Sequence, residues 1–379
     1  MKGFDFLYGP KLIAGAGSSA RLGGLLPPGR CLFVTDATVR GLGLAEPALA
    51  SLEAAGIEPI PFDAVEQDPS RETLMAAVAA GEGAASVVGL GGGSPMDVAK
   101  LAAYLLGSGD DLDAIWGVGK ARGERLPLAL VPTTAGTGSE ATPVTIITVG
   151  GAEKRGVSSP ALIADWALLD PGLTLGLPRA VTAATGIDAM VHAIEAYTSA
   201  RLKNPMSDLL AREALRLIDA NLLRACEVPD DVDARGAMLL AAHLAGVAFA
   251  NAPVAGVHAL AYPLGGHFHV PHGLSNALML THVLAHNMHA AMALYAELGA
   301  LLDPGLGREG EQGRARGFVE RLAALSRACG LPQRLAEVGV SPADLDLLAA
   351  EAMKQERLLI NNPCPISQAD ARRLYEAAL

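Results

Sequence analysis

Aromatic residues are scarce in this 379-residue chain: they make up 4% of it, whereas hydrophobic residues make up 51%. The apolar residues are mostly Ala, Leu and Val, so we expect a core of small aliphatic side chains on helices and buried strands. A chain of this length exceeds one ordinary hydrophobic core, and it carries enough apolar material for more than one. The composition therefore predicts two domains.

Cysteine is scarce as well, and the few thiols form no CxxC pair. They are Cys31, Cys226, Cys329 and Cys364. This spacing argues against a disulfide framework and is typical of a reduced, cytoplasmic protein. The first residues lack the sustained apolar run of a signal peptide, and no later stretch approaches the ~20 uninterrupted apolar residues that span a bilayer. We therefore expect a cytoplasmic protein that does not bind membranes.

Positive charge is also in short supply. The 29 Lys and Arg residues are outnumbered by 40 Asp and Glu, which gives a formal net charge of −11. An acidic chain repels nucleic acid and anionic membrane surfaces, so neither is an expected partner. An anionic cofactor remains compatible with this charge, because backbone N–H groups can hold phosphates without Lys or Arg.

The first half of the chain alternates short apolar runs with helical patterns. Strands are predicted at 31–36, 59–62, 85–94 and 127–134. Helices are predicted at 44–56, 72–83 and 95–109. Strands and helices in alternation indicate right-handed βαβ units and a parallel sheet.

After Pro178 the pattern changes to helices alone. They are predicted at 177–200, 206–224, 233–250, 273–303, 315–329, 332–338, 342–355 and 368–378. The polar stretch 303–316 is predicted to be a surface loop. We place the domain boundary here, with an α/β domain over 1–178 and an all-helical domain over 179–379.

A glycine-rich turn follows the third predicted strand, in the segment GLGGGSPMDVAK (89–100). Gly92 and Gly93 allow close approach of the backbone to a phosphate, because no Cβ intervenes. Ser94 is predicted to cap the next helix, and the helix N-terminus then favours a pyrophosphate. The segment is neither GxGxxG nor a Walker loop, so a plain glycine turn is an equally good interpretation.

Two further segments follow predicted strands and carry polar side chains. Asp36 comes directly after the first strand, where a carboxylate can accept from the ribose hydroxyls of adenosine and would repel a 2′-phosphate, favouring NAD over NADP. On its own, a helix cap is the commoner role for such an aspartate. The segment PTTAGTGSE (132–140) follows another strand, and its hydroxyls can donate to phosphate, ribose or carboxamide groups, unless it is only a flexible turn. These hydroxyls belong to Thr133, Thr134, Thr137 and Ser139.

The helical half contains residues with the chemistry of metal ligands. Asp188 and His192 are four residues apart on a predicted helix and therefore share a face. One carboxylate and three imidazoles would make a four-ligand site for a divalent ion. Spacing alone leaves open which of the later histidines complete it, and a single histidine is more often a surface or core-edge residue. The candidates are His258, His267, His269 and His272.

These motifs together resemble the iron-containing (group III) alcohol dehydrogenases, relatives of lactaldehyde reductase and 1,3-propanediol dehydrogenase. The matching segments occur in the family order and cover nearly the whole chain. They are VTDATV (34–39), GGGSPMDVAK (91–100), PTTAGTGSEAT (132–142), ATGIDAMVHAIEAYTS (184–199), GVHALAYPLGGHFHVPHGLSNA (256–277) and NPCP (362–365).

The resemblance implies a dehydroquinate synthase-like architecture, with a Rossmann-like parallel sheet followed by a helical domain. It also implies a homodimeric, NAD-dependent enzyme that interconverts an alcohol and an aldehyde with a divalent metal as Lewis acid. Iron is favoured by the resemblance, although the same donors accept Zn(II). The low aromatic content suggests a short-chain substrate. Glycerol-type dehydrogenases, maleylacetate reductases and a non-catalytic nucleotide-binding protein are the alternatives.

Residue by residue, the resemblance implies three groups of site positions. Asp36 and Asp68 look like adenosine-side ribose contacts, and Gly93 and Ser94, beside Gly92, look like pyrophosphate contacts. The resemblance also gives cofactor positions to Thr133, Thr134 and Thr137. Lys154 is similar to a lysine that reaches a nicotinamide-side hydroxyl, and Leu173 is similar to a residue that lines the cofactor cleft. The implied metal ligands are Asp188, His192, His258 and His272, whereas His267 and His269 do not fall on ligand positions.

Two departures from the family pattern stand out. Tyr262 occupies a position where some relatives have a second histidine, so no role of that histidine in proton transfer or metal binding is carried over. Cys364 replaces the arginine that many relatives have in the late NPRP motif. This change is expected to alter helix packing rather than the metal site.

Overall fold

The computed structural model describes residues 3–150 and 153–379. The chain divides into two compact units, of which one is Leu7–Leu175 and the other is Gly176–Leu379 with the described residues before Leu7. The first unit ends just after the short 3₁₀ turn Pro171–Thr174, which packs with the sheet through Leu173.

The first unit is built on a six-stranded sheet in which every neighbouring pair is parallel. The strand order is β1-β9-β6-β4-β2-β3, and a smaller sheet has the order β5-β8-β7. The strands are β1 (Lys11–Ala14), β2 (Gly29–Val34), β3 (Ile57–Phe62), β4 (Ser86–Gly91), β5 (Gly117–Val118), β6 (Leu128–Pro132), β7 (Val144–Val149), β8 (Glu153–Ser158) and β9 (Trp166–Leu169). The predicted α/β fold class is therefore confirmed.

Helices cover both faces of the large sheet, and alternate residues of its central strands point to opposite cores. Val87 of β4 joins a core with α3 and α4, whereas Val88 joins a core with α2. The helices of this unit are α1 (Ala37–Gly41), α2 (Glu46–Ala54), α3 (Arg71–Ala80), α4 (Gly93–Ser108) and α5 (Leu112–Ile115). Gly89 lets α4 lie directly on β4, since a Cβ there would be 2.6 Å from the Cβ of Ala99. The N-terminus of α4 is thereby placed at the carboxyl end of the central strand.

The second unit has helices and no strand among its described residues. The helices are α6 (Arg179–Tyr197), α7 (Pro205–Glu227), α8 (Val232–Asn251), α9 (Gly256–Phe268), α10 (His272–Leu302), α11 (Glu311–Cys329), α12 (Leu345–Met353), α13 (Glu356–Leu359) and α14 (Gln368–Ala378). Among the described helices, α8 alone is long and apolar enough to cross a membrane, and most of that apolar stretch is buried inside the protein, as in an ordinary core helix.

Three sequence predictions for this unit need correction. Helix α9 was not predicted, because its glycines and the internal Pro263 hide the helical pattern. The predicted loop 303–316 contains the 3₁₀ turn Pro304–Arg308 and the first turns of α11. The predicted helix 332–338 is only the 3₁₀ turn Leu335–Val338.

Glycines bring the central helices of this unit into close contact. A Cβ at Gly273 of α10 would lie 2.3 Å from the carbonyl oxygen of Ala184 in α6, and a Cβ at Gly186 would lie 2.4 Å from a methyl of Leu222 in α7. At Gly273 the neighbouring atom is backbone, so no side chain fits unless a helix moves, whereas at Gly186 the end of the Leu222 side chain would have to shift. The start of α10, which carries His272, is therefore held against the middle of α6, which carries Asp188.

Candidate metal centre and nucleotide site

Helix α6 presents three ionisable side chains on one buried face. Asp188, His192 and Glu195 are spaced by four and then three residues, and each is almost fully buried. This spacing matches the helical repeat, so the three side chains point the same way.

Two other helices bring histidines to this face through their first residues. His258 lies in the first turn of α9, and His272 is the first residue of α10. The Nε2 atoms of His192 and His258 each lie 3.8 Å from Asp188 Oδ1, and that of His272 lies 3.5 Å from it. The candidate ligand atoms of these four residues all lie within 4.8 Å of one another, the only such group found among the described residues.

The spacing of these four donor atoms fits a divalent ion. Two ligands at ~2.1 Å from a tetrahedral metal are about 3.4 Å apart, close to the separations observed here. Three of the residues are buried, whereas the side chain of His272 is 43% exposed. The structure thus brings together the four expected ligands, with His272 as the solvent-exposed member of the group.

Electrostatics favour a cation at this position. Burial is the largest single influence on the pKa of Asp188 and would raise it, but the three imidazoles and the Asn276 amide together hold this pKa below its usual value. One carboxylate and three imidazoles gathered at one mostly buried point form a donor set that suits a divalent ion, whose charge would offset that of Asp188.

Two residues that contact the cluster are absent from the sequence predictions. Glu195 Oε2 lies 2.7 Å from His258 Nδ1, and Asn276 Nδ2 donates to Asp188 Oδ1 at 2.6 Å. Each shares a helix face with a candidate ligand, because Glu195 is three residues after His192 and Asn276 is four residues after His272. That spacing is the signal that could have found them.

The two remaining candidate histidines of this segment stay outside the cluster. His267 and His269 are exposed at the end of α9, and His269 adopts the left-handed conformation that terminates the helix. The geometry thus places His258 and His272 in the cluster and leaves His267 and His269 outside it. Spacing alone could not distinguish these four histidines.

Aromatic side chains surround the ligand group. The ring of Phe249 stacks on that of His192 with a centroid separation of 4.4 Å, and the Tyr262 ring lies 5.8 Å from that of His272. Tyr262, the departure from the family histidine, is thus adjacent to the candidate centre.

The NPCP segment supports the start of α9. The side chain of Asn362 donates to the carbonyl of Cys364, and its Oδ1 accepts from Gly256 N at 3.3 Å. Cys364 is buried and lies 3.6 Å from His289 Nε2, away from the candidate ligand group.

In the sheet unit, the glycine turn leads directly into α4. Gly92 is the N-cap and no side chain caps the helix, so the prediction that Ser94 would cap it is wrong: the helix begins at Gly93, with Ser94 inside its first turn. The first N–H groups of the helix therefore have no side-chain cap, as an anion site requires. A Cβ at Gly93 would lie 3.0 Å from Thr137, and one at Gly92 would lie 3.8 Å from Thr134, so these threonines flank the turn.

A buried ion pair holds the threonine segment in place. Lys100 Nζ lies 3.1 Å from Asp97 Oδ1 and donates to the carbonyls of Ser139 and Val144. Burial lowers the pKa of Lys100, and the Asp97 carboxylate opposes this effect. Ser139 donates its hydroxyl to Asp97 at 2.6 Å, so it supports the segment instead of offering this proton to a ligand. Thr133 is buried, and its N–H donates to the carbonyl of Gly91.

Asp36 has the helix-cap role that the sequence offered as the commoner interpretation. One carboxylate oxygen caps α1 by accepting from Val39 N at 2.9 Å. The other lies 3.4 Å from the position that a Cβ at Gly91 would occupy. The carboxylate therefore lies at the edge of the glycine turn while it also serves as a helix cap.

The remaining three cofactor positions differ in their surroundings. Asp68 and Lys154 form an ion pair with each other, and Asp68 has a positive φ of 55°. Leu173 is buried in the core on the α2 face of the sheet.

Comparisons with known proteins assign the chain to a family. Residues 9–171 match the family described as iron-containing alcohol dehydrogenase, and residues 182–379 match the C-terminal region of the Fe-containing alcohol dehydrogenase family. This chain belongs to the iron-containing alcohol dehydrogenase family. The family and its description support a divalent metal at the cluster of Asp188 and the three histidines.

Relatives within the iron-containing alcohol dehydrogenases match over nearly their full lengths. Long-chain-alcohol dehydrogenase 1 of Geobacillus thermodenitrificans is 40% identical over 92% of this chain and 89% of its own length. The 1,3-propanediol dehydrogenase of Klebsiella pneumoniae is 35% identical over 94% of each chain. A crystal structure of 1,3-propanediol oxidoreductase superposes with a TM-score of 0.96 at 33% identity and covers 100% of both chains.

If the cluster binds a divalent metal, that metal should stabilise the folded protein, and the stabilisation should require His258. Fe(II) or Zn(II) at a hundred times its dissociation constant should raise the free energy of unfolding by about 2.7 kcal/mol, because only the folded state assembles the donors. His258→Ala should abolish this gain, whereas His267→Ala, which removes an exposed imidazole outside the cluster, should preserve it. Denaturant titrations with and without metal measure both effects. Full stabilisation of the His258→Ala variant would show that the centre is wrongly assigned.

Proposed function

We propose that this protein is a metal-dependent alcohol dehydrogenase that transfers hydride reversibly between an alcohol or aldehyde and NAD(H). The observation that carries the proposal is the convergence of Asp188 and three histidines on one buried point. Membership of the iron-containing alcohol dehydrogenase family supports the same chemistry.

The proposed metal ligands are Asp188, His192, His258 and His272. Three imidazoles and one carboxylate suit Fe(II) or Zn(II), and the family description favours iron. When bound, the metal supplies a Lewis acid for the substrate oxygen and NAD supplies the hydride acceptor. The chain itself provides a buried, charged donor set, with His272 on the side accessible to solvent.

For the cofactor, we propose NAD on the sheet unit, with its pyrophosphate at the glycine turn of Gly92, Gly93 and Ser94. The uncapped start of α4 supports this assignment, because a helix N-terminus without a side-chain cap favours an anion. The flanking hydroxyls of Thr134 and Thr137 are proposed to donate to the same ligand. The other proposed contacts are Asp36, Asp68, Thr133, Lys154 and Leu173.

The proposed substrate is a short-chain alcohol or its aldehyde. Relatives are named for long-chain alcohols, 1,3-propanediol and methanol, so chain length varies among them. The aromatic rings of Phe249 and Tyr262 beside the ligands give the centre apolar neighbours that suit an aliphatic chain. We further propose a cytoplasmic homodimer, the location being supported by four free cysteines.

The function is tested by following NADH absorbance with purified protein loaded with Fe(II) or Zn(II). Short primary alcohols and diols should support NAD reduction, and chelation of the metal should abolish it. Glycerol, long-chain alcohols and maleylacetate, supplied in parallel reactions, identify the related activities. Nucleotide binding without hydride transfer in any metal form would contradict the proposal and indicate a non-catalytic nucleotide-binding protein.

The cofactor preference should depend on the charge of Asp36. Asp36→Ser keeps an oxygen that can cap α1 but removes the carboxylate that would repel a 2′-phosphate. We expect kcat/KM for NADP to rise about tenfold or more relative to NAD, from the loss of one repulsive charge pair. Asp36→Ala should show the same change in cofactor preference. Its free energy of unfolding should also be lower by about 1 kcal/mol, because this substitution removes the cap of α1. An unchanged NADP to NAD ratio in both variants would contradict a ribose-side position for Asp36.

A further inference from the structure

Glu195 is a buried carboxylate whose two oxygens are both engaged by the segment that carries His258. Its Oε1 accepts from Val257 N at 2.6 Å. Its Oε2 accepts from Ala255 N at 2.7 Å and lies 2.7 Å from His258 Nδ1. Three donors from three nearly consecutive residues of one helix start therefore converge on one side chain of α6.

These contacts determine which nitrogen of His258 carries its proton. A carboxylate accepts and does not donate, so the facing Nδ1 must carry a hydrogen. On the other side of the ring, the Asn276 amide nitrogen lies 3.1 Å from His258 Nε2, and a donor there requires an unprotonated Nε2. Both neighbours therefore select the tautomer whose Nε2 lone pair points toward Asp188 and the other imidazoles.

The same carboxylate also fixes the backbone from which His258 projects. Ala255, the N-cap of α9, has no side chain that can cap the helix. Glu195 takes that role from a neighbouring helix, with its negative charge at the positive end of α9. The intervening Gly256 N–H donates to Asn362, and a Cβ at Gly256 would lie 2.6 Å from Asn362 Oδ1. Side chains from elsewhere in the fold therefore hold three successive N–H groups.

We propose that Glu195 is a positioning residue of the metal centre, which orients His258 for ligation by fixing both its tautomer and the start of α9. This inference rests on the proposed metal site and extends it to a residue that does not touch the ion. Carboxylates that orient a ligating imidazole in this way commonly change metal affinity by about 10- to 100-fold.

Glu195→Gln is the decisive variant, because glutamine has the same shape but only one acceptor oxygen. If that oxygen faces Ala255 and His258, the amide nitrogen meets the Val257 N–H, donor against donor. If the amide is reversed, its nitrogen faces His258 Nδ1, which must then accept, and the ring proton moves to the nitrogen that should bind metal. Either arrangement is unfavourable for ligation.

The experiment measures Zn(II) dissociation constants by competition with a chromophoric chelator, together with the visible spectrum of the Co(II) form. Glu195→Gln should weaken Zn(II) binding by about 10- to 100-fold and alter the Co(II) spectrum, with far-UV circular dichroism retained. Glu195→Asp, which keeps the acceptor charge on a shorter stem, should restore part of the affinity. It also provides a second variant to measure if Glu195→Gln does not fold.

Tyr375→Phe is the matched control. The Tyr375 hydroxyl donates to the carbonyl of Leu260 at 2.6 Å, so its loss loosens α9 without touching a candidate ligand. This variant should lose thermal stability while its Zn(II) affinity and Co(II) spectrum stay as in the wild type. Equal losses of affinity in Tyr375→Phe and Glu195→Gln would show that any loosening of α9 has this effect and that Glu195 does not orient the His258 ring, which overturns the proposal.

Two other results would overturn it, and they are distinguishable. Wild-type affinity and an unchanged Co(II) spectrum in Glu195→Gln would remove Glu195 from the centre but leave the proposed function intact. A wild-type protein that binds neither Zn(II) nor Co(II) would instead remove the metal centre itself, and the role of Glu195 with it.

Discussion

A negative charge buried among helices is the constraint that organises the helical unit. The Asp188 carboxylate is 2% exposed, and its neighbours are three imidazoles and one amide rather than Lys or Arg. Such a charge is costly unless a cation accompanies it, and the imidazoles can themselves bind one. At Gly273, α10 lies against α6, and this contact holds His272 beside Asp188. The contacts at the start of α9 hold His258 beside the same carboxylate.

In the sheet unit, the arrangement of strand ends and helix starts is the organising feature. Its parallel strands bring the glycine turn after β4 and the threonine segment after β6 to one edge of the sheet. No side chain caps α4, while Asp97 and Lys100, farther along that helix, hold the threonine segment. The first N–H groups of α4 are thus left without a side-chain cap, while the Asp97–Lys100 ion pair lies farther along the helix.

Much of the fold could be predicted from local patterns, and the failures have physical causes. The strands β2, β3, β4 and β6 form continuous apolar or half-buried runs and were predicted, whereas the edge strand β1 is mostly exposed and β8 is largely polar. Strand β7 was missed although its sequence, VTIITV, is apolar and β-branched. Helix α9 was missed because it contains three glycines and an internal proline, Pro263, which are poor helix formers. Family resemblance selected His258 and His272 where spacing could not. Glu195 and Asn276 share helix faces with His192 and His272, but that spacing alone does not show what they contact, which the structure supplies.

The central claim is that one divalent ion is held at Asp188, His192, His258 and His272. Anomalous diffraction from crystals grown with Zn(II) or Fe(II), recorded at the metal edge, tests it most directly. We expect one strong peak at about 2.0–2.2 Å from a carboxylate oxygen of Asp188 and the Nε2 atoms of the three histidines. A peak at the exposed His267 and His269 instead, or no peak among the four residues in metal-saturated crystals, would contradict the account.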